Sequence, residues 1–208
     1  MKLKLITILA ASGFVAVLLA GFMSARGGNA HYDTPFIELS SVPVPELPAK
    51  ATDLVHAAAA SKREQTAQEV LRSVSVIARP GVLPYVVSAI CHGDPETAGS
   101  VVATVIELRP EDILIFTKAA LCAAPGQVEQ IVFSASKAAP ASCADVSLVA
   151  AKQLPSANNL ILSGLTLALP FLQPCLEKAE TEVGTNNFED VITRTAQLYN
   201  NSLKTTAK

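Results

Sequence analysis

Four cysteines and three histidines carry most of the reactive chemistry in this 208-residue chain: Cys91, Cys122, Cys143 and Cys175, with His31, His56 and His92. Cys91 and His92 are adjacent and Asp94 follows two residues later. Those are the residue types of a thiol nucleophile, its base and an orienting carboxylate. Adjacency argues against a working dyad, because neighbours on a helix point about 100° apart. No C-x-x-C spacing is present, which leaves little basis for a redox pair or a structural zinc site. A Gly-rich phosphate loop, a G-x-S-x-G elbow and an H-E-x-x-H pattern are likewise missing from the sequence. Glu96, Glu111 and Asp112 are the acidic candidates, and each already suits the first turn of a helix, where the dipole favours negative charge. The expectation is a chain that is not an enzyme and holds no cofactor or metal.

The elements that position these residues follow from a repeat. Proline falls at 80, 95, 110, 125, 140, 155 and 170, every fifteen residues. With each proline numbered 1, position 7 reads Val86, Val101, Phe116, Ile131, Val146, Ile161, Leu176. Position 8 reads Val87, Val102, Thr117, Val132, Ser147, Leu162, Glu177, and position 11 supplies Ile90, Val105, Ala120, Ala135, Ala150 and Leu165. Positions 4, 7, 8 and 11 share one helical face. Proline suits a helix start, where its missing N–H had no intrahelical partner. Each unit is therefore predicted as one helix of about eleven residues, roughly 16 Å long. Pro84 and Pro174, at position 5, predict a late or irregular start for their two helices.

Short turns make successive helices antiparallel. The fold class expected is all-α: an α-solenoid of short antiparallel helices, fifteen residues per helix and thirty per hairpin. Units two apart then run parallel as neighbours. Cys91 and Cys122 are two units apart at one end of the stack, and Cys143 and Cys175 are two units apart at the other. In an exported chain this spacing predicts disulfides Cys91–Cys122 and Cys143–Cys175. The alternative is four thiols acting as small apolar residues.

The pattern Pro-Glu-x-x-x-x-Val-Val-x-x-Val over Pro95 to Val105, and Ala-Ala-Pro-Gly-Gln-Val-x-x-Ile-Val over Ala123 to Val132, resembles the short Ala-rich, Pro-initiated helical repeats of exported bacterial proteins of unknown function. The resemblance covers Pro80 to Gly184. It implies a helical stack and carries over no active site.

The ends complete the plan. Lys2 and Lys4 precede an uncharged, mostly apolar run from Leu5 to Met23, and Gly28-Asn29-Ala30 offers a cleavage site after Ala30. Residues 1–30 read as a secretory signal peptide. The run is also long enough to remain as a membrane anchor. The protein is thus expected to be exported, periplasmic or extracellular, with inner-membrane anchoring as the other possibility. Residues 31–49, with Pro35, Pro43, Pro45 and Pro48, read as an extended linker. About ten units fill 50–199, the terminal ones as polar caps, and 200–208 reads as a flexible tail. Asn200-Asn201-Ser202 fits a glycosylation sequon. Gln153 to Leu176 carries no charge and reads as a buried helix pair, or else as an apolar contact surface.

The net charge of −2 and the lack of a basic cluster leave nucleic acid no electrostatic footprint. The function expected is an exported structural or protein-interaction module with a protein partner. The alternative is a membrane-anchored envelope protein using the apolar segment 160–172 for membrane or partner contact.

Overall fold

The computed structural model describes residues 34–78, 80–184 and 187–206. The Leu5–Met23 run, the cleavage position after Ala30 and His31 lie outside the described residues. Eleven α-helices are described: α1 Thr34–Ser40, α2 Leu47–Ala57, α3 Arg63–Ile77, α4 Leu83–Gly93, α5 Ala98–Leu108, α6 Ile113–Ala123, α7 Val128–Ala138, α8 Cys143–Gln153, α9 Asn158–Ala168, α10 Gln173–Val183 and α11 Phe188–Thr206.

From Pro80 to Val183 every unit has the same local structure. Positions 1–3 form a 3₁₀ turn led by the proline, and positions 4–14 form an eleven-residue α-helix. Between units a single residue turns the chain. Asp94, Arg109, Ala124, Ala139, Leu154 and Leu169 hold φ between −131° and −147° and ψ between 65° and 81°. The following proline excludes helical backbone there. The N–H of this hinge residue closes the preceding helix, donating to the position-11 carbonyl at 2.8–3.0 Å. Its own carbonyl accepts from the N–H of position 3 of the next unit at 3.0–3.2 Å. One residue thus ends one helix and starts the next with both backbone groups paired, which is what a buried turn requires.

Helices two apart in sequence pack side by side. One row is α1, α3, α5, α7 and α9; the other is α2, α4, α6 and α8. The fold is an all-α solenoid of antiparallel helices. Positions 7, 8 and 11 fill the seam between the rows: Val86, Val87 and Ile90 of α4 have no exposure, nor do their counterparts Val101, Val102 and Val105 of α5. Within the α1–α9 row, two neighbours come together at a glycine. A Cβ on Gly164 would lie 2.4 Å from the Glu129 carbonyl oxygen, so α9 rests directly on the backbone of α7.

The regular order stops at α10. That helix packs chiefly on α11, and α11 takes the place beside α8. The reason lies in the repeat positions. Positions 4, 8 and 11 of α10 are Gln173, Glu177 and Glu180, and burying two carboxylates in an apolar seam without partners is costly. Helix α11 brings Ile192 and Thr195 instead, both buried, while Val191 packs with Leu176 and Ala179 of α10. The α9 and α10 units bend by 112° at Leu169. Beyond α10 the chain turns at Gly184, whose φ of +78° suits glycine, in place of the proline turn.

Several expectations are corrected. The segment 31–49 is not an extended linker where it is described: α1 and the start of α2 occupy it, with a 3₁₀ turn Val44–Glu46 between them. Pro45 and Pro48 stand in the first turns, where a missing N–H costs nothing. The first units are accordingly out of the 50–199 register, since α2 begins at Leu47. Residues 50–79 hold two helices with a turn Ala60–Lys62 between them, which decides between one helix and two. The expected tail continues α11 to Thr206. Pro84 and Pro174 do not delay their helices, because both sit at the second helical position.

Candidate functional site

The repeat turns Cys91 and His92 about 100° apart on α4. Cys91 is fully buried in the core, and burial pushes its thiol up to about 12. His92, one residue on, is exposed. The two do not form a dyad, for the angular reason that adjacency implied. Asp94 is a buried hinge residue that meets Arg63 of α3 at 3.5 Å. Glu111 and Asp112 each reach Arg109 at 2.9 Å, so they hold a cation rather than form an acid pair, and Glu96 is exposed.

The cysteine pairs Cys91–Cys122 and Cys143–Cys175 are not joined; all four thiols are free. The geometry gives the reasons. Cys122 sits at position 13 while Cys91 sits at 12, and that single step rotates Cys122 about 100° out of the core. It is exposed, and its thiol donates to Gln153 Oε1 of α8 at 3.3 Å. A Cys143–Cys175 bridge requires α10 to follow α8 in its row, and α11 stands there instead. Cys143 is half-buried, and burial raises its pKa above the usual thiol value.

What the structure does assemble is an open groove on the outer face of the α2–α4–α6–α8 row. It holds about 570 Å³ and is lined by Val44 and Pro45 of the turn before α2, by Pro48 of α2 and by Val82, Tyr85 and His92 from the α4 unit. Its surface is mostly apolar, and Ser88 and His92 are among its polar lining residues. Tyr85 stands 70% exposed. The sequence held a signal for this residue. Position 6 lies off the buried 4/7/8/11 face, so large apolar side chains there must be outside, and Tyr85, Ile115 and Leu160 are all exposed.

The uncharged segment divides between core and surface. Ile161, Leu165, Leu169 and Leu172 are buried, while Leu160, Leu167 and Phe171 are exposed. The Phe171 ring lies 5.1 Å from that of Tyr199 of α11. Among the described residues no helix is long and apolar enough by itself to cross a membrane; the bent pair Pro155–Ala168 and Pro170–Val183 passes that test together. Among the described residues no group of three or more His, Cys, Asp or Glu is placed to hold a metal ion. The sequon lies within α11, with Asn200 exposed.

No protein-family description matches this chain, and no curated protein or solved structure matches it either. The resemblance to Pro-initiated helical repeats therefore extends to the repeat itself: successive short helices, each opening on a proline.

Proposed function

We propose that this protein is an exported structural or protein-interaction module whose helical stack presents a partner-binding face. The observation that carries the reading is the open groove at Tyr85. A side chain of that size, 70% exposed beside an apolar cleft, has the character of an interface anchor. Solenoids build such extended surfaces from side chains outside their seams. The test is a photo-crosslinking amino acid placed at Tyr85 of the full-length chain, with the exposed polar position Glu107 as control, in envelope preparations. A discrete adduct at Tyr85, absent at Glu107 and diminished by Val44→Asp on the opposite wall, supports the reading. Equal diffuse labelling at both positions refutes it.

The membrane-anchored alternative is favoured by one observation, the exposure of Leu160, Leu167 and Phe171 in an uncharged segment. Carbonate extraction of membranes separates the readings. Retention of the full chain that Leu167→Gln weakens supports membrane contact there, and release supports the module.

A further inference from the structure

The irregular end of the stack leaves a hole. Between α8, α9 and α11 lies a cavity of about 100 Å³, partly open, with Cys143, Ala144, Leu165, Leu172, Ile192 and Ala196 in its wall. Its origin is visible in the row. Position 4 is Leu83 in α4 and Ile113 in α6, both buried, and the corresponding first residue of α2 is Leu47, also buried. In α8 the same position is Cys143, a side chain smaller by two carbons' worth of branching. Helix α11 brings Ile192, Thr195, Ala196, Tyr199 and Asn200 to the same wall, and Ala196 is the smallest of them. A slot that α4 and α6 fill with a branched four-carbon side chain is empty at α8.

We propose that this cavity is a binding site for a small neutral ligand ending in a branched alkyl group of about four carbons. Size sets the upper limit: an apolar cavity of about 150 Å³ admits benzene, and this one is smaller. Charge sets the class, since none of the lining residues is a carboxylate, a lysine or an arginine. The apolar body of the ligand contacts Leu165, Leu172 and Ile192. A polar tip meets Asn200, a lining residue that is exposed.

The two thiols supply a test with an internal control. Cys143 lines the cavity, and Cys122 is exposed elsewhere on the stack. The full-length chain is alkylated with iodoacetamide while isobutanol is titrated as the probe, and peptide mapping reads each cysteine separately. The expected result is a saturable, severalfold slowing at Cys143 with no change at Cys122. Isobutylammonium at the same concentrations slows Cys143 far less. Ala196→Leu, which fills the hole from α11, removes the effect of isobutanol; Ala144→Leu does the same from α8 should the first variant fold poorly. No saturable slowing at Cys143, equal slowing at Cys122, or slowing that persists in both filled variants would overturn the site.

Discussion

Gly164 has the least room among the described glycines, and Gly164→Ala tests the packing directly. The added Cβ would meet the Glu129 carbonyl oxygen at 2.4 Å and the Phe133 nitrogen at 3.2 Å. Both are backbone atoms of α7, so no side chain can swing aside. Restoring ordinary contact requires α9 to retreat by about 1 Å, a gap that forfeits about a quarter to a half of the dispersion energy of each contact it opens. Overpacking of this kind costs about 1–3 kcal/mol, and contact with rigid backbone puts it at the upper end. Alanine returns about 1 kcal/mol of helix propensity. The net expectation is a loss of about 2 kcal/mol, or roughly 4–8 °C in Tm for a chain of this size. Gly99→Ala should cost less, because its Cβ would meet the side-chain atoms Gln130 Cγ at 2.7 Å and Ser134 Oγ at 2.9 Å. Gly126→Ala meets nothing within 4 Å and should stabilise by about 0.4–1 kcal/mol through the unfolded chain. Urea unfolding of the full-length variants, followed by far-UV circular dichroism, gives the order. Hydrogen exchange should place the Gly164→Ala loss in α9, since repeat stacks destabilise locally. Gly164→Ala as stable as wild type, or more stable than Gly126→Ala, would refute the close approach of α7 and α9.

Other consequences follow from single side chains. Burial raises the Cys91 thiol from 9.0 to about 12; a folded-state value above the unfolded one means its contribution is whole below pH 9 and is lost as pH rises towards 12. Wild-type stability should therefore fall more steeply over that window than Cys91→Ala, by about 1.4 kcal/mol per pH unit at most, as read from urea midpoints at constant m. The Thr117 hydroxyl is buried with no hydrogen-bond partner, at a position where Val87, Val102 and Val132 stand in other units. Thr117→Val should stabilise by about 1 kcal/mol in urea titration, and a loss of stability would show that the hydroxyl is satisfied. Cys143→Leu restores the row's position-4 residue and should fill the α8–α11 cavity, stabilising by about 0.5–2 kcal/mol in the same assay.

The repeat was legible in the sequence because it is a local code. Proline at position 1 sets the first turn, the residue before it is barred from the helix, and positions 7, 8 and 11 must share one face. Those constraints act within fifteen residues, so helix starts, the hinge residue and the buried faces of α4 to α8 could be read without a fold. The prolines of 31–49 show the limit of that local code. The local preference for extended backbone is real, but a proline in a first helical turn sacrifices no hydrogen bond, and packing of α1 and α2 on their neighbours decides between the two.

What only the tertiary structure decided lies where units compete for one slot. The sequence displays Glu177 and Glu180 on the α10 face, yet their cost appears only when that face is offered to an apolar seam. The choice of α11 over α10 beside α8 is a comparison of two burials, and no single segment contains it. That exchange separates Cys143 from its expected partner and leaves the cavity beside α8 unfilled. The groove at Tyr85 arises in the same way, from the start of α2 and the face of α4, which are about forty residues apart in sequence and adjacent only because helices two units apart pack together.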